Sequence, residues 1–273
     1  MKKNLINILF VAFLSAIMFV SCDPMEPSTR TETLARYATV SLNGTKANLL
    51  FDGITETLRI KNFSTESDME AFNVKDGDRV LATISVKTID NTVGEVITLE
   101  YLSKINVLKI ATEQPSDTLN YLFNFSQLEV GRTLYPKIWS QGHFVNIAPV
   151  VFARNSIKKA PKFSLYPLSI KKDTLITRLY SYFPESDCGN DYSSFQDVCC
   201  FDLSSLRDPV GDQNEQVLRD TLLARLGRIG SSFIIKVLPP DSVRTKYTMT
   251  DSVYTIKRKN LSDPVSASVS FDF

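Results

Sequence analysis

Between Arg79 and Val86 the chain alternates at period two. Val80, Ala82, Ile84 and Val86 fall on one side, and Arg79, Leu81, Thr83 and Ser85 on the other. An extended strand turns successive side chains to opposite faces, so this pattern fits a half-buried strand and no helix. The signature recurs with turn residues between the copies. Ala38, Val40 and Leu42 alternate with Thr39 and Ser41, Asn43-Gly44 is a hairpin signal, and Leu49 to Phe51 is the return strand. Asp52-Gly53 and Asp76-Gly77-Asp78 mark further turns, and Thr57 to Ile60, Val96 to Tyr101 and Ile105 to Ile110 complete the set. Five or six short strands without a convincing helix predict a small OB-like β-barrel over residues 35–112.

Ala111 to Thr118, with Glu113, Pro115 and Asp117, reads as a boundary, and residues 119–273 read as a β-sandwich. Its strands are Phe144 to Ile147, Val150 to Phe152, Phe163 to Tyr166, Leu175 to Tyr182, Val198 to Leu203, Phe233 to Leu238, Val253 to Lys257 and Val265 to Phe273. One stretch breaks the rule. From Glu215 to Arg228, Leu218, Leu222 and Leu226 recur every four residues, Val217 and Leu223 widen the stripe, and Gly227 and Gly230 can end it. It predicts one short helix, serving either to cap the sandwich or to bind a partner. The expected fold class is therefore all-β, a barrel followed by a sandwich with one helical insert.

The N-terminus carries an address. Lys2 and Lys3 precede an apolar run from Leu5 to Val20, and Ser21-Cys22 follows. The run is shorter than the roughly 20 residues a spanning helix needs. It resembles a bacterial lipoprotein signal, with residues 1–21 removed and Cys22 lipidated, except that Phe19 stands where Leu is usual. Residues 22–34 hold two prolines and no apolar period, and read as a tether. The resemblance implies attachment to the outer membrane through lipid on Cys22, on either its periplasmic or its outer face. Charge points away from nucleic acid. The chain has 31 Lys+Arg against 30 Asp+Glu, and losing Lys2 and Lys3 leaves 29 against 30.

Three cysteines follow Cys22. Cys199 and Cys200 point to opposite faces of a strand, so Cys188 could form a disulfide with one of them, or all three could stay thiols. No metal or cofactor is implied, for there is no CxxC pair and His143 is the only histidine. Ser-x-x-Lys occurs at Ser156 to Lys159 and at Ser169 to Lys172, in β sequence without the accompanying lactamase motifs. Glu185, Asp187 and Asp191 share a polar loop whose spacing fits no calcium loop. No catalytic residue is assigned. A binding reading has more material, because Arg178, Tyr180 and Tyr182 share one face of a strand. They would make a platform for a sugar or a protein if exposed, and core if buried.

Three stretches carry a family resemblance: Cys22 with its polar tether; Asp76-Gly77-Asp78-Arg79-Val80; and the pair Trp139 to Ile147 with Phe201 to Leu206. Together they resemble the NigD-like lipoproteins, whose members combine an N-terminal OB-like domain with a C-terminal β-sandwich. The Cys199-Cys200 pair and the insert from Arg207 to Gly230 depart from that pattern. The resemblance implies an envelope lipoprotein associated with a bacteriocin locus, and it brings no catalytic residues. Asp-Ser/Thr-aliphatic triplets place Thr118, Thr174, Thr221, Ser242 and Ser252 in a pattern resembling the O-glycosylation acceptors of exported proteins in that lineage. Their other reading is ordinary turn chemistry. The sequence thus leads to a lipid-anchored, non-catalytic module for a protein or glycan partner. A bacteriocin-protective lipoprotein is the alternative, and an unrecognised hydrolase comes third.

Overall fold

A computed structural model describes residues 29–54, 60–89, 92–115, 123–154, 161–182, 192–206, 213–227, 229–239, 242–247, 252–257 and 263–270. Within them the chain is predominantly β-strand, with two short helices and one 3-10 turn. Strands β1 (Thr29–Asn43), β2 (Lys46–Phe51), β3 (Arg79–Ile89) and β4 (Thr92–Lys104) form an antiparallel sheet in the order β2-β1-β3-β4. Asn43 pairs with Lys46 across a two-residue turn, and Gly44 sits at φ +62°, which glycine adopts without a Cβ clash. The alternation in β3 is realised: Val80, Ala82, Ile84 and Val86 are at most 1% exposed. They pack with Ala38, Val40, Leu49, Phe51 and Leu99 into one apolar core.

Two expectations for this half change. The described pairings give an open four-stranded sheet, with β2 and β4 at its edges, and no closed barrel. The strand expected at Thr57 to Ile60 falls mostly outside the described residues, and Ile60 itself is not in a strand. A helix that periodicity missed, α1 (Glu66–Ala71), lies between β2 and β3. Its signal is at its start, where the Thr65 hydroxyl accepts from Asp68 N–H while the Asp68 carboxylate accepts from Thr65 N–H. One apolar residue, Met69, buries into the sheet core, too few for a 3.6-residue stripe to register. The N-terminal boundary also shifts. β1 begins at Thr29, so Thr29 to Leu34, expected in the tether, pair with β3 from Ile89 to Ile84. Alternating Thr29, Thr31 and Thr33 give this segment the β-branched character of a strand.

The second half stacks further sheets on this one. β5 (Val107–Lys109) runs parallel to β15 (Cys199–Asp202), which pairs with β10 (Phe144–Ile147) and through it with β9 (Ile138–Gln141). β5 lies inside the stretch assigned to the first half, yet it is hydrogen-bonded into a sheet of the second. β6 (Phe123–Phe125), β11 (Pro149–Arg154) and β14 (Tyr192–Gln196) make a three-stranded sheet. β12 (Lys162–Lys171), β13 (Thr174–Tyr182), β16 (Ser232–Leu238) and β19 (Val265–Ser270) make a four-stranded one in that order, with β13 and β16 parallel. Two hairpins complete the set, β7 (Leu128–Val130) with β8 (Thr133–Tyr135) and β17 (Ser242–Tyr247) with β18 (Ser252–Lys257). Leu165, Leu175, Leu179, Phe201, Ile235 and Val237 are fully buried between the sheets.

The predicted helix is α2 (Gln213–Leu226). Gly227 ends it at φ +84°, with its N–H bonded to Leu223 O at 2.9 Å. Leu222 is fully buried and Leu226 packs beside it, so the helix covers the sandwich core. Val217, expected in the stripe, is 68% exposed, and the buried face is narrower than the five-residue stripe implied.

Candidate functional site

The face of the first sheet opposite its core turns toward the second half, and the junction is built on an ion pair. Arg79 and Asp52 are bidentate at 2.7 and 2.6 Å, with both side chains at most 1% exposed. Thr39, opposite Arg79 in the β1–β3 register, accepts from it at 3.0 Å. From the second half, Trp139 Nε1–H donates to Asp52 Oδ2 at 2.8 Å, and Asn146 Oδ1 accepts from Arg79 at 3.2 Å. Burial works to lower the Arg79 pKa, but the Asp52 carboxylate, together with the neighbouring Cys200 side chain, offsets it and holds the group above its usual value. The guanidinium also lies 5.5 Å from the Phe144 ring centre. Beside it Tyr37, Tyr135 and Trp139 pack together, with Tyr135 and Trp139 stacked at 4.8 Å, and Tyr37 N–H donates to the Tyr135 hydroxyl.

Next to this seam a cleft of about 570 Å³ opens between the halves, within the roughly 300–1,000 Å³ span of ligand sites. The first half contributes Tyr37, Leu81, Ser103 and Lys104, followed by Ile105 and Asn106 of the connection into β5. Facing them are Pro161, Lys162 and Phe163, Tyr182, and Asp197 with Val198 and Cys199. Lys104 is paired with Asp78 at 2.9 Å. Burial, reinforced by Asp197, pushes the Tyr37 hydroxyl above its usual range, so it stays protonated and can only act as a neutral donor or acceptor at physiological pH. Such a set can hold and orient a ligand; it offers no paired acid and base.

The sequence-chosen residues are scattered. Arg178, Tyr180 and Tyr182 do share a face of β13, opposite the buried Leu175, Thr177, Leu179 and Ser181. Tyr180 is nevertheless 7% exposed, with its hydroxyl accepting from Gln114 at 3.4 Å, and only Tyr182 of the three lines the cleft. Cys199 and Cys200 are free, buried thiols, and Cys188 lies outside the described residues with Glu185, Asp187 and Asp191. Cys22 and Thr118 also lie outside them. Thr174 opens β13 and donates to Asp173, Ser242 and Ser252 open β17 and β18, and Thr221 lies within α2, donating to Val217 O. His143 stands 3.7 Å from Asp202. Among the described residues no group of three His, Cys, Asp or Glu is placed to hold a metal.

The sequence reading missed Arg79 and Asp52, although a signal existed. An arginine opening an otherwise apolar strand asks for a buried partner. Ser103, Asn106, Lys162 and Asp197 carried no local signal, since only the fold brings them to one wall.

No family model matches the chain, and no curated protein matches it. Solved structures do align with it. A candidate lipoprotein from Bacteroides fragilis matches at 11% identity, covering 88% of this chain and 99% of its own, with a TM-score of 0.47. A protein from Parabacteroides merdae matches at 12% identity over 88% and 100%, with a TM-score of 0.45. A NigD-like immunity protein from Bacteroides caccae matches at 13% over 84% and 92%, with a TM-score of 0.39.

Proposed function

We propose that this chain is a lipid-anchored cell-envelope protein that works by holding a partner in the cleft between its two halves, without catalysing a reaction. In this reading residues 35–112 form an OB-like unit, residues 119–273 a sandwich, and Cys22 carries the lipid. The supporting observation is the cleft itself: a cavity of ligand size walled by Tyr37, Tyr182, Lys104, Asn106 and Asp197. The buried seam beside it joins both walls through the hydrogen bonds of Trp139 to Asp52 and of Arg79 to Asn146. A rigid, pre-formed site binds without first ordering itself.

The test places a photo-crosslinking residue at Asn106 in cells, with the exposed Lys61 as the control position. Adducts formed from position 106, absent from position 61 and lost with Tyr182→Ala, are expected. Equal labelling at both positions, or none at 106, would refute the cleft reading. Labelled palmitate should enter the wild-type chain and not Cys22→Ala.

A second reading is a protective lipoprotein that intercepts a bacteriocin at the envelope. It is supported by the resemblance to NigD-like lipoproteins carried by Asp76 to Val80, Trp139 to Ile147 and Phe201 to Leu206. Arg79, Trp139 and Asn146 of these stretches meet in the buried seam. Deleting the gene should then raise bacteriocin sensitivity, and unchanged sensitivity would remove this reading.

A further inference from the structure

The charges in the cleft wall cancel. Lys104 is engaged by Asp78 at 2.9 Å, and the two remaining charged residues, Lys162 and Asp197, are opposite in sign. An anionic ligand would need a surplus of cations and a lipid chain a wholly apolar lining; this wall supplies neither. It mixes aromatic residues, Tyr182 and Phe163, with hydrogen-bonding residues, Ser103, Asn106, Lys162 and Asp197. These come from separate segments of the chain. A peptide added as a strand would need one continuous backbone edge instead.

The same chemistry continues outside the cleft. Tyr101 precedes Ser103 by two residues on β4, and in register Thr83 pairs with Tyr101 and Leu81 with Ser103. Period two puts Tyr101 on the face that Leu81 and Ser103 present to the cleft. It is 62% exposed, a tyrosine ring standing in solvent two residues along the strand from the cleft-lining Ser103.

Resting on the binding role proposed above, we infer that the cleft takes a neutral oligosaccharide. One sugar ring stacks on Tyr182 inside, and a longer chain extends over β4 to Tyr101. Sugar rings offer apolar C–H faces to an aromatic surface, and their hydroxyls both donate and accept. That matches a wall of tyrosines, an amide, a hydroxyl and one charge of each sign.

The full chain in detergent is titrated with neutral oligosaccharides of two to six units derived from dextran, mannan, galactan and β-glucan. Uronic-acid oligosaccharides serve as the charged counterpart, and saturation-transfer NMR is the readout. Binding to at least one neutral series, little changed between low and high salt, is expected. Tyr182→Ala should weaken every length at least tenfold. Tyr101→Ala should weaken only the longer ones, by three- to tenfold, and Trp139 fluorescence would establish that both variants are folded. Binding confined to uronic acids and abolished by salt overturns the inference, as does binding indifferent to Tyr182→Ala or no binding to any series. If saccharides fail while position 106 still crosslinks specifically in cells, the cleft stands and its occupant is a protein. If both fail, the binding reading falls with the inference.

Discussion

Trp139 reaches from β9 to donate its indole N–H to Asp52 Oδ2, 2.8 Å away, on the same oxygen that Arg79 holds at 2.6 Å. One carboxylate therefore neutralises a buried cation within its own half and ties that half to the other. Asp52→Ala should cost about 3–5 kcal/mol, because it strands the Arg79 charge away from water. Urea unfolding of wild type and variant measures it. Since folded domains hold only about 5–15 kcal/mol in all, a change below 1 kcal/mol would mean that water reaches the pair.

Trp139→Phe keeps a ring against Tyr135 and removes only the donor to Asp52, so it should cost about 1–3 kcal/mol. Trp139 is also the only tryptophan and is 8% exposed. Its emission should be blue-shifted in the native protein and move red when the seam opens. That makes it a reporter of the seam for the variants that keep it.

The thiols should be silent in the folded state. Burial raises the Cys199 pKa well above its usual value and pushes the Cys200 thiol up to about 11, with the Arg79 charge partly opposing the shift at Cys200. Iodoacetamide at pH 8 followed by peptide mass spectrometry should leave both unmodified natively and label both in urea. Native labelling of either would place it at an accessible surface.

Leu222→Ala should destabilise by about 2–5 kcal/mol, as deletions from packed cores do. Val217→Lys on the same helix should stay within about 0.5 kcal/mol, as exposed substitutions do. Equal effects on melting temperature would contradict the narrow buried face of α2.

The start of α1 should loosen in acid. Backbone N–H groups of Ser64 and Thr65 and the Thr65 hydroxyl hold the Asp68 carboxyl below its usual range. Its folded pKa lies beneath the unfolded one, so the cap is fully effective above about pH 4 and fades as pH falls through the folded value. Amide exchange at Asp68 and Met69, corrected for intrinsic rates, should accelerate on acidification in wild type. In Asp68→Asn it should be flat with pH.

What could be read from sequence was whatever repeats locally. The β3 alternation, the turns at Gly44 and Asp52-Gly53, and a helix stopped by Gly227 each need only neighbours in the chain, and each was legible. Three features were not, for separate reasons. α1 is too short for periodicity and declares itself only through Thr65 and Asp68. Closure of a barrel depends on pairing between distant strands, which alternation leaves open. The cleft depends on which faces meet: Tyr182 was chosen as part of a platform, and its neighbours there proved to be Asn106 and Asp197 instead of Tyr180.

The strand pairing also sets an order of events as the chain emerges from the ribosome N-terminus first. β1 to β4 are consecutive and can pair as soon as they emerge, whereas β5 must wait for β15, since Val107 pairs with Cys200. Local contacts form quickly and distant ones late. Arg79 and Asp52 can therefore meet while still wet, and the arrival of Trp139 and Asn146 is what dries them. Until then the first sheet presents Tyr37 and Leu81 uncovered, an exposed apolar surface. Late pairing and transiently exposed apolar surface thus fall on the same seam.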